Sequence, residues 1–274
     1  MTSGPEQPER PSVSATALAP VFAPDFAPAL VRPSPNFGER VGGRAPDMII
    51  LHYTGMPSAK AALDWLCTEQ SQVSSHYFVS ETGIVTQLVP ESGRAWHAGR
   101  SIWKNHTDIN SASVGIEIAH PGHVAGQPRP EPYPAPQITA IIRLCRDIVA
   151  RHRITAERVL AHSDVAPTRK QDPGEWFPWD RLHREGVGLW VEPAPVSGGR
   201  FFQEGDEGQP VEALQSMLAL YGYGTEVTGH YGAETAADVR AFQRHFRPVR
   251  VDGIADMSTI STLHNLLQHS SNIS

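Results

Sequence analysis

Short apolar runs that alternate with longer amphipathic segments constrain the fold of this chain more than any other feature of its sequence. The run DMIIL at Asp47–Leu51 predicts a buried strand, and Ala59–Leu66 predicts a short helix. From Pro136 to Arg151, apolar residues recur every three to four positions, as they do on one face of a longer helix. Strands that alternate with helices predict an α/β fold with a mixed central β-sheet flanked by helices.

Two further patterns sharpen this prediction. The runs Ser75–Ser80 and Ile84–Val89 are separated by the three residues ETG, a spacing that predicts a β-hairpin. In SVGIEIA, at Ser113–Ala119, bulky apolar residues alternate with small ones and with Glu117. Successive side chains of a strand point to opposite faces, so we expect the Glu117 carboxylate to face open space.

Changes in composition divide the 274 residues into four segments. Residues 1–35 are rich in Pro and Ala and predict an extended arm, whereas residues 36–190 form the α/β domain. Residues 191–204 contain VEPAPVSGGR and predict a linker. Residues 205–270 carry three apolar helical patterns and predict a small three-helix domain that folds separately, with Asp256 as N-cap of its last helix.

Composition also limits the partners of the chain. The formal net charge is -6 and no dense block of Lys and Arg is present, which argues against nucleic acid as a partner. No run approaches the ~20 apolar residues of a transmembrane helix. Met1–Arg10 lacks the pattern of a signal peptide, so we expect a cytoplasmic protein, with the periplasm or cell envelope as the alternative. Cys67 and Cys145 are predicted to be buried thiols, although a disulfide between them stays open.

Two of the predicted strands end at a histidine. His52 follows Asp47–Leu51, His162 follows Arg158–Ala161, and Asp172 lies on the loop beyond His162, where it can curl back. Catalytic zinc needs three nitrogen or oxygen ligands and an open position for water, so these residues form a candidate ligand set for one zinc ion per chain. The pattern is weak alone, because the chain has thirteen histidines and no HExxH motif, and Asp172 before Pro-Gly is equally typical of a turn.

Four separated stretches between about Asn36 and Trp179 carry a family resemblance: IILHYT (Ile49–Thr54), VSSHYFV (Val73–Val79), AWHAGRS with SVGIEIA (between Ala95 and Ala119) and AHSDVAPTRKQDPG (Ala161–Gly174). They resemble the zinc N-acetylmuramoyl-L-alanine amidase family of AmpD and AmiD type, which is related to peptidoglycan recognition proteins. The AmiD type, with an appended wall-binding module, is the more similar.

The C-terminal part carries a second resemblance in the stretches QPVEALQSMLALYGY, GAETAADVRAFQRHF and VDGIADMSTISTL. Residues 205–267 resemble the peptidoglycan-binding module of wall hydrolases, with an accessory or dimerisation domain as the alternative.

The resemblance implies roles for further residues. Glu117 matches the catalytic glutamate of the family, which carries a proton from water to the departing amine. Lys170 matches the catalytic lysine, which stabilises the oxyanion. His97 falls in a segment that lines the substrate groove, and a structural role is the alternative. Taken without the resemblance, Glu117 is equally typical of a solvated carboxylate on an edge strand, and Lys170 of a solvated loop charge.

The implied activity is zinc-dependent hydrolysis of the amide bond between N-acetylmuramoyl, or anhydro-muramoyl, residues and L-alanine of peptidoglycan stem peptides. Peptidoglycan or muropeptides would be the substrate, and a monomer is favoured. Two alternatives stay open: a non-catalytic peptidoglycan recognition protein, and a zinc carboxypeptidase of the stem peptide.

Overall fold

A computed structural model describes residues 22–124, 126, 131–196, 198, 199 and 201–271. The first 21 residues of the predicted arm lie outside this range. The strands are β1 (Leu30–Val31), β2 (Phe37–Glu39), β3 (Met48–Tyr53), β4 (Tyr77–Val79), β5 (Val85–Gln87), β6 (Gly93–Ala95), β7 (Ser113–Ile118) and β8 (Val159–Ala161). The helices are α1 (Ala59–Leu66), α2 (Ile109–Ala112), α3 (Ala135–His152), α4 (His162–Val165), α5 (Trp179–Arg184), α6 (Gln209–Tyr221), α7 (Ala233–Phe246) and α8 (Met257–Ser271).

Six strands form one mixed sheet in the order β1-β5-β4-β7-β3-β8, and β2 pairs with β6 in a small second sheet. Strand β3 is parallel to both of its neighbours, β7 and β8. Strands β4 and β5 are antiparallel and form the predicted hairpin. The predicted α/β class with a mixed sheet flanked by helices is therefore confirmed.

The described part of the predicted arm belongs to the sheet. Strand β1 pairs in parallel with β5, and Phe26 and Ala29 are buried in the main core. The backbone N–H of Asp25 also donates to Oε1 of Gln87 at 2.7 Å. Local sequence showed no strand period here, because a strand of only two residues needs no alternation of its own and depends on its partner.

Alternation along β3 assigns its two faces to different partners. Ile49 and Leu51 belong to the core cluster that contains Ile141 and Ile148 of α3. Met48 and Ile50 belong to the cluster that contains residues of α6, α7 and α8. His52 continues the second series, so its side chain emerges on the face opposite α3.

The C-terminal helices, residues 201–271, form a unit that we call the helical module. Asp256 Oδ1 accepts a hydrogen bond from the backbone N–H of Thr259 at 2.8 Å, which confirms its capping role. The module shares a core cluster with the sheet domain, in which Trp103 meets Tyr221 and Tyr223 edge to face. Within the predicted linker, the backbone N–H of Ala194 donates a hydrogen bond of 3.0 Å to Oγ1 of Thr262 on α8. The separate folding expected from linker composition does not agree with this packing.

Two simpler features complete the description. Cys145 is a buried free thiol, and Cys67 is a free thiol that is only partly buried. Among the helices of the described residues, none combines the length and apolar character needed to cross a bilayer.

Candidate metal centre and catalytic groove

His52, His162 and Asp172 converge at the edge where the parallel strands β3, β7 and β8 end. Nδ1 of His52 lies 2.8 Å from Nδ1 of His162 and 3.1 Å from Oδ2 of Asp172. Nδ1 of His162 lies 2.9 Å from the same carboxylate oxygen. The backbone N–H of Ser163 donates to the carbonyl oxygen of Asp172 at 3.0 Å, which holds the loop against α4.

In both His52 and His162, the ring nitrogen that faces away from the candidate metal site, Nε2, has a hydrogen-bond partner. Nε2 of His162 lies 3.0 Å from the carbonyl oxygen of Ala98, to which it can only donate. Nε2 of His52 lies 3.1 Å from Nδ1 of His97. A ring that donates through Nε2 presents a lone pair at Nδ1, so both rings are oriented as metal ligands are in proteins.

The protonation states of these residues suit a cation. Burial and the neighbouring His162 lower the pKa of His52 to about 4, so this imidazole is neutral near pH 7. Burial alone would raise the pKa of Asp172, but His162 and His52 hold it well below its usual value. Three buried ligand atoms within 4.8 Å of one another, two imidazole nitrogens and one carboxylate oxygen, match the donor set of catalytic zinc.

Glu117 lies beside this centre. It is paired with His52 in the register of β3 and β7, so both side chains emerge on the same face of the sheet. Its strand β7 lies between β4 and β3, so the alternative of an edge-strand carboxylate is wrong. Oε2 of Glu117 is buried and has no hydrogen-bond partner among the described residues. Burial and the charge of Asp172 raise the pKa of Glu117 well above its ordinary value, which is typical of a group that carries a proton.

His97 lies behind His52. Its Nδ1 faces His52, and its Nε2 lies 3.2 Å from Oγ of Ser113, whose hydroxyl donates to the carbonyl oxygen of Ile109 at 2.6 Å. A Cβ at Gly115 would come within 2.4 Å of the His97 ring, so glycine is required for this close packing. These contacts favour a positioning role for His97, whereas its predicted contact with substrate stays a prediction.

The centre opens into a groove of about 550 Å³, a size typical of ligand sites. Lys170 is half-buried on the loop that carries Asp172, and it lines this groove together with His52 and Glu117. Aromatic and other apolar side chains form much of the remaining wall: Met56, Trp65, Leu66 and Trp96. The sequence analysis gave no role to these four residues, although Trp96 lies in the stretch AWHAGRS. In the structure the side chain of Trp65 on α1 is 43% exposed.

Three histidines outside the predicted site have defined surroundings. His123 is exposed and lines the groove, and its ring nitrogens lie 3.0 Å from Tyr53 Oη and from Glu175 Oε2. His120 is buried and stacks on Tyr133. His76 is buried.

Comparisons with known proteins agree with this geometry. The sequence profile of a family described as N-acetylmuramoyl-L-alanine amidase matches residues 42–175, and that of a putative peptidoglycan binding domain matches residues 207–263. The N-acetylmuramoyl-L-alanine amidase AmiD of Escherichia coli strain K12 is 38% identical over 235 residues, which cover 81% of this chain and 82% of that protein.

Two solved structures are similar over both parts of the chain. The complex of AmiD from E. coli with anhydro-N-acetylmuramic acid-L-Ala-D-γ-Glu-L-Lys matches with a TM-score of 0.71 and 34% identity, covering 85% of this chain and 98% of that chain. AmpDh3 from Pseudomonas aeruginosa matches with a TM-score of 0.70 and 29% identity, covering 84% of this chain and 94% of that chain.

Proposed function

Because the chain belongs to the N-acetylmuramoyl-L-alanine amidase family, we propose that it hydrolyses the amide bond between a muramoyl lactyl group and the L-alanine of a stem peptide. The observation that carries this proposal is the placement of Glu117 in register with His52, beside three buried ligand atoms. Hydrolysis of an unactivated amide needs both an electrophilic centre and a proton carrier, and this arrangement supplies residues for both.

In this proposal His52, His162 and Asp172 hold one zinc ion. When bound, zinc supplies a Lewis acid that polarises the scissile carbonyl and makes water a stronger acid near neutral pH. The neighbouring protein groups keep the ligands in place: Ala98 accepts from His162, and His97 accepts from His52. Metal ligands whose outer partners are removed typically lose about 10- to 100-fold in metal affinity, so these contacts are part of the site.

Glu117 is proposed to carry the proton. It takes a proton from the attacking water and delivers it to the nitrogen of the departing L-alanine, which leaves as an amine. Burial and the charge of Asp172 raise the pKa of Glu117, so its carboxyl group holds a proton more strongly than an ordinary glutamate does, as a proton carrier must between the two steps.

Lys170 is proposed to stabilise the oxyanion that forms on the scissile carbonyl. Lys170 lines the groove from the loop that carries Asp172. A fixed positive donor acts most strongly when negative charge develops, so it contributes to the transition state more than to the bound substrate. Because water attacks the carbonyl carbon directly, the reaction needs no covalent intermediate with the enzyme.

The substrate class follows from the relatives. The AmiD complex holds a peptide attached to anhydro-N-acetylmuramic acid. We therefore propose anhydro-muramoyl peptides as one substrate. The match of residues 207–263 to a putative peptidoglycan binding domain supports polymeric wall as another.

Product analysis tests the proposal. Purified zinc-loaded protein is incubated with anhydro-muramoyl peptides, muramoyl peptides and intact sacculi, and the products are identified by mass spectrometry. We expect free stem peptides that begin with an L-alanine amine. Release of D-alanine would instead indicate a carboxypeptidase, and binding to sacculi without any product would indicate a recognition protein.

A further inference from the structure

A second groove of about 340 Å³ lies between the loop of residues 167–171 and helix α7 of the helical module. Arg169, Lys170 and Gln171 line both this groove and the catalytic groove, so the two are adjacent along one loop. From the module, Arg240 and Arg244 face the second groove. It is thus built jointly by the metal-bearing loop and by the module.

The charge of this groove differs from that of the whole chain. Its lining contains four cationic side chains and one carboxylate, that of Glu234, in a protein whose formal net charge is -6. The cationic residues are Arg169, Lys170, Arg240 and Arg244. A concave surface lined by one sign of charge concentrates ligands of the opposite sign. The groove therefore suits an anionic ligand.

Arg244 provides a second, independent observation. Its side chain is only 11% exposed, and its Nε is buried without a hydrogen-bond partner among the described residues. The nearest carboxylate oxygen, Oε2 of Glu175, is 3.9 Å away and already lies 3.0 Å from His123. Arg244 therefore has no close ion pair among the described residues, and a carboxylate bound in the groove would provide one with paired hydrogen bonds to the guanidinium.

We propose that this groove binds the free carboxylates of the stem peptide, with Arg240 and Arg244 of the helical module as the recognising residues. This inference rests on the proposed function. In the peptide L-Ala-D-γ-Glu-L-Lys, linkage through the γ-carboxyl leaves the α-carboxylate of the D-glutamate free, and the last residue carries another. Because an extended residue spans about 3.5 Å, these groups lie roughly 7 Å or more beyond the scissile amide, which places them outside the metal centre.

The proposal gives the module a part in substrate selection. Arginine pairs with a carboxylate through two parallel N–H donors, and such charged hydrogen bonds are stronger than those between neutral groups. An amide at the same position is neutral and offers one acceptor oxygen instead of two, so it would pair with the guanidinium less strongly. The enzyme should therefore prefer stem peptides with a free D-glutamate α-carboxylate over those in which it is amidated.

Steady-state kinetics of the full-length zinc-loaded enzyme test the proposed carboxylate recognition. The substrates are anhydro-muramoyl-L-Ala-D-γ-Glu-L-Lys and its counterpart amidated at the D-glutamate α-carboxyl. For Arg244→Gln and Arg240→Gln, we expect KM for the free-carboxylate substrate to rise about tenfold or more, kcat to stay within about twofold, and the amidated substrate to be little affected. Arg250→Gln is the matched control, since Arg250 is 52% exposed and pairs with Asp252.

Two results would overturn the proposal: an unchanged KM in both variants, or an equal loss on both substrates, which would indicate general damage. Arg244→Lys, which keeps the charge, should restore part of the affinity. If Arg244→Gln does not fold, Arg240→Gln and the preference of the wild-type enzyme between the two substrates decide the question. Calorimetric binding of the free tripeptide to wild-type protein separates this inference from the proposed function, because it requires no cleavage.

Discussion

The carboxylate of Asp164 lies 2.7 Å from Nδ1 of His245, and this buried contact joins the metal-bearing part of the chain to the helical module. The other Asp164 oxygen accepts a hydrogen bond from Tyr223 Oη at 2.9 Å, also from the module. Oδ2 of Asp164 accepts from the backbone N–H of Ala161 at 2.8 Å, directly before the ligand His162. The module therefore holds the residue that fixes the start of α4.

Replacing His245 with alanine should weaken both the fold and the metal centre. The change leaves the fully buried Asp164 carboxylate without its imidazole partner and removes a ring whose centroid lies 3.8 Å from that of Trp179. We expect the free energy of unfolding to fall by about 3–5 kcal/mol and zinc to bind more weakly. Urea denaturation and zinc titration measure the two effects. His230→Ala is the control, because that side chain is 57% exposed.

Deletion of the whole helical module tests the interface between the module and the sheet domain. A chain that ends at Pro195 would expose the core side chains Trp103, Leu160 and Val165, which now share a cluster with the module. It should aggregate, or lose turnover even on small soluble muropeptides. A stable, fully active truncated protein would contradict the structural role of the module.

The metal centre predicts one zinc ion per chain. His162→Ala or Asp172→Ala removes one of three converging ligand atoms, so each variant should lose most of its bound zinc and its activity. Elemental analysis of the purified protein measures the metal content. His264→Ala, on the exposed face of α8, should keep its zinc. Chelation should abolish activity and added zinc should restore it, whereas full turnover in metal-free protein would remove zinc from the mechanism.

Glu117→Gln should retain zinc and lose turnover. Glutamine preserves the shape of the side chain but cannot accept the proton of water, so we expect kcat to fall by about 10²- to 10⁴-fold. Steady-state kinetics combined with zinc analysis separates loss of catalysis from loss of metal. Glu81→Gln, in the exposed hairpin turn, serves as the control. Near wild-type kcat in the Glu117 variant would exclude this residue as the proton carrier.

Lys170→Ala should reduce kcat more than it changes KM. The proposed contact strengthens as charge develops on the carbonyl oxygen, and removal of such a donor typically costs about 10²- to 10³-fold in rate. The kinetic constants of the variant are compared with those of Lys60→Ala, in which an exposed lysine on α1 is lost. A change confined to KM would assign Lys170 to substrate binding instead.

The buried carboxyl group of Asp238 should make the free energy of unfolding depend on pH. Burial raises its pKa from 3.8 to about 6, so the folded state binds this proton more tightly than the unfolded state does. The contribution of Asp238 to stability is therefore greatest below pH 3.8 and declines as the pH rises toward about 6. Asp238→Asn keeps an acceptor for Thr225 Oγ1, now 2.6 Å away, and removes the buried charge.

We expect Asp238→Asn to stabilise the protein by about 1–2 kcal/mol at pH 7.5 and to have almost no effect near pH 4. Urea denaturation at both pH values measures the difference. Glu226→Gln, at an exposed position of the helical module, is the control. An equal effect of Asp238→Asn at both pH values would show that the charge of Asp238 is not responsible.

The sequence by itself determined the local elements of this protein and the chemistry available at their ends. Alternation in SVGIEIA predicted both the strand and the face on which Glu117 lies, because neighbouring side chains of a strand must point in opposite directions. The three-to-four residue period predicted α3 for the same kind of local reason. The two strand-end histidines were visible as candidates, but nothing local distinguished them from the other histidines.

Only the tertiary structure decided which of these groups meet. His52 and His162 are 110 positions apart in the chain, and they come together because β3 and β8 are parallel neighbours that end at the same edge. The contact between Asp164 and His245 spans 81 positions and depends on two packed faces. A Pro- and Gly-rich stretch can precede either a free or a docked module, and the outcome depends on apolar faces that bury each other only when the chain is folded.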